Sequence, residues 1–191
     1  MQIKTWTDAY VSTDDLNTEL VDNLNRLIAQ PACRRTFAAN LTANASGAWL
    51  LVPLDPVGTG EGRFSSFDTS SGAFGANSNR MTAPEDGLYE ITFSAVIRAA
   101  VSATSLTYGA AAIAVNQATA TNVAANALCR TALNRSWGEE RSGNGSATVP
   151  LLKGDYVSLA TTGIGTTWVT GHDSFTEMTS FLCLSRVGEK P

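Results

Sequence analysis

From Leu88 to Arg98 apolar and polar side chains alternate. Tyr89, Ile91, Phe93, Ala95 and Ile97 fall on one side, and Glu90, Thr92, Ser94 and Arg98 on the other. That two-residue period belongs to a half-buried β-strand and not to a helix. Pro84 and Gly87 bracket Glu85 and Asp86 just ahead of it, a composition that turns the chain sharply into the strand, with Gly87 free to take a positive φ. Near the N-terminus the period changes. Leu16, Leu20, Leu24, Leu27 and Ile28 recur at helical spacing behind Ser12-Thr13-Asp14-Asp15, which caps the first turn, and Pro31 closes the segment. A helix of about 15 residues is marginal alone in water, so its apolar stripe must dock on something.

The remaining pattern predicts short strands and loops. Residues 38–52 carry the first strands, ended by Pro53 and Pro56, because proline cannot donate to a ladder. Gly58-Thr59-Gly60-Glu61-Gly62 lacks the Gly-Lys-Ser/Thr ending of a phosphate loop and reads as a plain loop. Tyr108 to Leu133 is rich in Ala, Thr, Asn and Val and is assigned to strands, although alanine alone favours helix. Trp137 to Ser146 reads as a polar loop, and Gly163 to Trp168 as a loop tip, with Trp168 either folded inward or exposed. Phe181 to Leu184 is apolar on both faces, as a central strand or one pressed on a neighbour would be.

Three blocks of this pattern resemble the C1q/TNF-like jelly-roll family. They are Phe67-Asp68-Thr69 with Gly72-Ala73-Phe74 followed by Met81-Thr82-Ala83-Pro84-Glu85-Asp86-Gly87-Leu88-Tyr89 and the alternating strand to Arg98; Val149-Pro150-Leu151-Leu152-Lys153-Gly154-Asp155-Tyr156-Val157-Ser158-Leu159; and the closing Thr179-Ser180-Phe181-Leu182-Cys183-Leu184. Met81 stands where the family has an aromatic residue, and Ile91 where it has phenylalanine. The resemblance implies an all-β antiparallel jelly-roll sandwich over residues 37–191, behind an N-terminal arm of residues 1–36 with one short helix. It also implies a homotrimer in which apolar and aromatic side chains of one sheet meet around a threefold axis, and Tyr89, Phe93 and Phe181 are the candidate contributors.

The arm carries a second resemblance. Trp6-Thr7-Asp8, Val11, Asp15-Leu16-Asn17 and Asp22-Asn23-Leu24 are similar to an N-terminal segment of tail and minor structural proteins of tailed bacteriophages, departing from it at Ala9, where glycine is usual. That likeness implies an attachment end, with Trp6, Val11, Leu16, Leu20, Leu24, Leu27 and Ile28 docking on other virion proteins of the tail or capsid. A helix packed on its own domain, or bundled with its copies, is the plainer alternative. The two resemblances together imply a virion-surface structural protein made in the host cytoplasm. It would be either a minor tail protein gripping host-surface glycan through loops carrying Trp137, Glu139, Arg141 and Trp168, or a capsid decoration protein. A freestanding C1q-like lectin or adhesin is the reading from another class.

Composition narrows the field. A net charge of -4 and a pI near 4.9 lack the basic footprint of a nucleic-acid binder. No apolar run approaches the roughly 20 residues that span a bilayer, and no signal peptide is evident, so a soluble chain without membrane insertion is expected. Cys33, Cys129 and Cys183 are far apart and odd in number, which indicates neither a disulfide framework nor a zinc site. His172-Asp173-Ser174 lacks the context of a hydrolase triad, and no catalytic residue or cofactor is assigned. Asp55, Asp68, Glu85, Asp86 and Asp155 are oxygen donors near loops, but without EF-hand spacing no metal site is assigned. The four glycosylation sequons, at Asn40, Asn44, Asn134 and Asn144, mark surface loops.

Overall fold

A computed structural model describes residues 17, 20, 21, 24, 30–37, 41–43, 47–54, 67–68, 79–100, 106–135, 140–165, 167–170 and 180–189. In chain order the strands are β1 (Ala32–Thr36), β2 (Leu41–Ala43), β3 (Trp49–Leu51), β4 (Phe67–Asp68), β5 (Met81–Thr82), β6 (Gly87–Ala99) and β7 (Tyr108–Val115). After the helix α1 (Ala120–Ala125) come β8 (Cys129–Ala132), β9 (Asn134–Arg135), β10 (Glu140–Leu151), β11 (Tyr156–Ile164), β12 (Trp168–Thr170) and β13 (Phe181–Gly188).

The alternating strand β6 organises the first sheet. One edge pairs along its whole length with β10, from Arg98 opposite Glu140 to Gly87 opposite Leu151. The other edge is shared, β13 taking Leu88 to Ser94 and β12 taking Ile97 to Ala99. Beyond them lie β1 and β4 on one side and β2 on the other. The second sheet runs β3-β11-β7-β8, with β5 also paired to β11. All these pairings are antiparallel, and strands consecutive in the chain fall repeatedly in opposite sheets, the arrangement of a jelly roll.

The core lies between the sheets. Tyr89, Ile91, Phe93, Ala95 and Ile97 of β6 meet Ala111 and Ile113 of β7, Val157 and Leu159 of β11, and Leu182 and Leu184 of β13. A smaller apolar cluster sits on the far side of the second sheet, where Val123 of α1 packs on Ala112, Ala114 and Ala160.

Three local expectations need correcting. Residues 140–146 are not loop but the start of β10. Their glycines are there for space: a Cβ at Gly145 would come within 2.7 Å of the Phe93 ring, and one at Gly143 within 3.1 Å of the Ala132 carbonyl. Within 108–133 the strands are broken by α1, where the Thr119 side chain accepts from the Asn122 N–H, so that a cap and alanine propensity prevail over β context. Gly87 does not adopt a positive φ; its missing side chain lets the Arg186 guanidinium lie across the turn, with Nε only 2.5 Å from where a Cβ would stand.

Candidate functional site

Asn17, Leu20, Val21 and Leu24 are helical. Their offsets of three, four and seven residues put them on one helix face. Leu20, Val21 and Leu24 each stand 52% exposed. Leu20 and Leu24 belong to the expected docking stripe, and Val21 joins them, legible in hindsight as the i+1 neighbour that widens a narrow stripe. Trp6, Val11, Leu16, Leu27 and Ile28 lie outside the described residues. Among the described residues, the main core cluster contains none before Cys33.

The expected trimer contributors separate. Tyr89 and Phe93 are fully buried within this chain, so they cannot line a contact between copies. The apolar face of an amphipathic strand serves one side only, and here that side is the chain's own core. The Tyr89 hydroxyl donates to the Glu85 carbonyl at 2.9 Å, tying the strand to its preceding turn. Burial raises the Tyr89 phenol above its ordinary pKa, partly opposed by that hydrogen bond. Phe181 points the other way, half buried, with the Arg34 guanidinium 4.1 Å over its ring. Around it the outer face of the first sheet presents Thr92, Ser94, Cys183, Asn144 and Ser146, with the charged Arg34 and Glu90 on the same face.

The expected ligand-facing residues are also corrected where the structure describes them. Trp168 is fully buried in β12. Its ring lies over Gly163, where a Cβ would approach within 3.1 Å, and Leu106 closes on the same spot. Arg141 turns inward, and its Nε and Nη2 both donate to the Leu106 carbonyl, the Nε bond at 2.9 Å. A guanidinium used this way staples the start of β10 to the approach to β7. Trp137 and Glu139 lie outside the described residues, as do Asp55 and the 172–174 segment.

The carboxylates near the turns act as acceptors for their own backbone. Asp86 accepts from the Lys153 N–H at 2.7 Å, and Asp155 accepts from the Leu152 N–H at 2.8 Å and from Asn116 Nδ2 at 2.7 Å. Glu85 and Glu189 flank Arg186 at 3.5 and 3.0 Å. The positive φ values at Asn116 and Gly154 belong to these same turns. No group of three or more His, Cys, Asp or Glu side chains gathers among the described residues. Cys33 is buried, while Cys129 and Cys183 are half-buried, and none of the three is in a disulfide.

Sequence reasoning did not anticipate the outer face of the second sheet. Trp49 on one margin and Arg130 on the other extend toward each other, the Arg130 guanidinium carbon 5.1 Å from the indole centroid. Between them Thr162 and Ala160 of β11 and Ala110 and Ala112 of β7 are buried, and Val123 of α1 packs on Ala112 and Ala160 with Trp49 against the same cluster, so the helix covers this part of the face. Tyr108 and Ile164, directly paired across the strands, remain 37% and 44% exposed on that face. Trp49 and Arg130 are 81 residues apart in the chain, so only strand order brings them together.

No family model matches the chain, and no curated protein does. Among solved structures it is similar to murine APRIL in a crystal structure at pH 5.0, with 12% identity and a TM-score of 0.52 over 83% of this chain and 99% of that one. At that identity the likeness speaks to fold alone, and it supports a TNF/C1q-like jelly roll.

Proposed function

We propose that this chain is a structural protein of a bacteriophage particle, a trimeric jelly-roll knob on the virion surface fastened by its N-terminal arm. One observation carries the reading: Leu20, Val21 and Leu24 stay half exposed on one helix face, and among the described residues the main core contains none of them. A half-exposed apolar helix face suits a segment whose partner is elsewhere. The phage-like segment of the arm supports a virion as that partner and inclines the reading to the tail. The C1q/TNF-like fold supports the trimer, for which Phe181 and the polar face around it are the available surface. The knob then presents its remaining surface to the host, with glycan as its ligand.

The test is a pair of chains, one lacking residues 1–30 and one carrying Leu20→Asp with Leu24→Asp, added to particles devoid of the protein. Loss of co-sedimentation with the particle, while sedimentation equilibrium still gives a trimer and the melting temperature holds, is the expected result. Loss of the trimer instead makes the arm an oligomerisation helix and removes the attachment reading. Imaging of the bound particle separates a tail position from a shell position.

A further inference from the structure

We infer that copies of this chain meet edge on face: the open margin formed by β10 and β8 of one copy seats on the Phe181 face of the first sheet of the next. This deepens the trimer part of the proposed function and rests on it. The occupant of each surface is a second copy of this chain.

A threefold ring sets the first condition. Each copy in it uses two different surfaces, one to receive a neighbour and one to be received, because a patch that meets its own copy closes a pair. The outer face around Phe181 is therefore only half of the contact. The sheet edges supply the other half. Among the described residues β2, β3, β4, β5, β8 and β9 lie at sheet margins, and none is longer than four residues. Such short edges offer little for another chain to use. The strand β10 differs. It is 12 residues long and paired with β6 throughout, while its other edge meets β9 only at Arg141 and Ser142. From Gly143 to Leu151 that edge has no strand beside it among the described residues.

Little in the sequence blunts this edge. Ser142 to Leu151 contains no charged residue, the ladder with β6 runs without a bulge, and only Pro150, near the far end, withholds a donor. The core also reaches the surface along it. Ala147, Val149 and Cys129 are only partly buried against the main cluster, and β8 lies so near that a Cβ at Gly145 would come within 3.0 Å of Cys129 Sγ. The margin is an apolar seam bordered by unpaired N–H and C=O groups. The Phe181 face suits both features. Phe181 offers an apolar ring to the seam, and Thr92, Ser94 and Ser185 offer hydroxyls that donate or accept, as unpaired backbone groups of either kind require. Arg34, held over the Phe181 ring, adds a charged donor for a carbonyl.

Sedimentation equilibrium of the full chain with two variants tests the arrangement. Ala147→Lys gives the margin the charge that protected edges carry, and Thr92→Arg puts bulk and charge in the middle of the face. Each variant should be monomeric at a concentration where the wild type is a trimer. Mixed in equal amounts they should form a one-to-one heterodimer, since the Thr92→Arg chain keeps its margin and the Ala147→Lys chain keeps its face. Far-UV circular dichroism and thermal melts confirm folding. Hydrogen exchange on the wild-type trimer adds a readout that needs neither variant: the β10 amides pointing away from β6 should be as protected as those paired with it. An Ala147→Lys chain that stays trimeric, a Thr92→Arg chain that stays trimeric, variants that do not combine, or unprotected margin amides overturn the inference. A wild type that sediments as a monomer removes the trimer of the proposed function as well. A wild-type trimer that Ala147→Lys leaves intact removes only this arrangement, and particle co-sedimentation through the arm is scored apart from both.

Discussion

Replacing Gly145 by alanine distinguishes a strand from a loop by the sign of the stability change. Gly145 lies in β10 opposite Phe93, and its φ is not positive, so alanine can adopt its backbone. Were residues 137–146 a solvated loop, Gly145→Ala would stabilise the chain by about 0.4–1 kcal/mol, because alanine restricts the unfolded chain more than glycine does. In the structure the added methyl meets Phe93 Cε1 at 2.7 Å, Phe93 Cζ at 2.8 Å and Cys129 Sγ at 3.0 Å. The Phe93 ring is buried in the core and has nowhere to retreat. Overpacking of this kind costs about 1–3 kcal/mol. Set against the entropic gain, the net loss is about 1–2 kcal/mol, which lowers the melting temperature by about 2–8 °C for a chain of this size. Urea unfolding of wild type, Gly145→Ala, Phe93→Leu and the double variant closes a cycle. Because leucine removes the ring that the methyl strikes, the double variant should be more stable than the two single losses predict by about 1 kcal/mol or more. A neutral or stabilising Gly145→Ala, or strictly additive effects, refutes the placement of β10 against Phe93.

Two further outcomes follow from the buried polar contacts. Arg141→Met should destabilise by about 1.5–3 kcal/mol in urea unfolding, since it removes a charged donor from the Leu106 carbonyl. Tyr89→Phe should cost about 1 kcal/mol at neutral pH through the lost bond to Glu85. Its pH dependence has a definite sign. Because burial raises the Tyr89 pKa in the folded chain, the stability tied to its neutral phenol is complete below the unfolded value of about 10 and drains as pH climbs through the folded one. Tyr89→Phe should therefore show a shallower loss of stability across the alkaline range in melts at stepped pH.

Much of the fold was legible because its cues are local. The alternation along β6, the Pro84-to-Gly87 turn and the Lys153-Gly154-Asp155 turn each carry their structure within a few residues, and Asp86 and Asp155 are the turn acceptors their positions suggest. What misled were residues whose surroundings come from elsewhere in the chain. A run of Gly, Asn and Ser reads as a loop until a long partner strand lies beside it, and then its small side chains are what fits against Phe93 and Leu133. Trp168 and Arg141 read as exposed recognition residues for the same reason, since the Gly163 gap and the Leu106 carbonyl that receive them are not visible from their own neighbours.

The sequence by itself determined the class of the molecule: strand periodicity, turn chemistry and the helical spacing of Leu20 and Leu24 are properties of adjacent residues, and local sterics and hydrogen bonding suffice to impose them. Only the tertiary structure decided which surfaces are free. It spent Tyr89 and Phe93 on the interior, left Phe181 facing out, and joined Trp49 to Arg130 across four strands. The physical reason is that a side chain's exposure depends on what the chain packs over it, and in a jelly roll those covering residues come from strands distant in sequence.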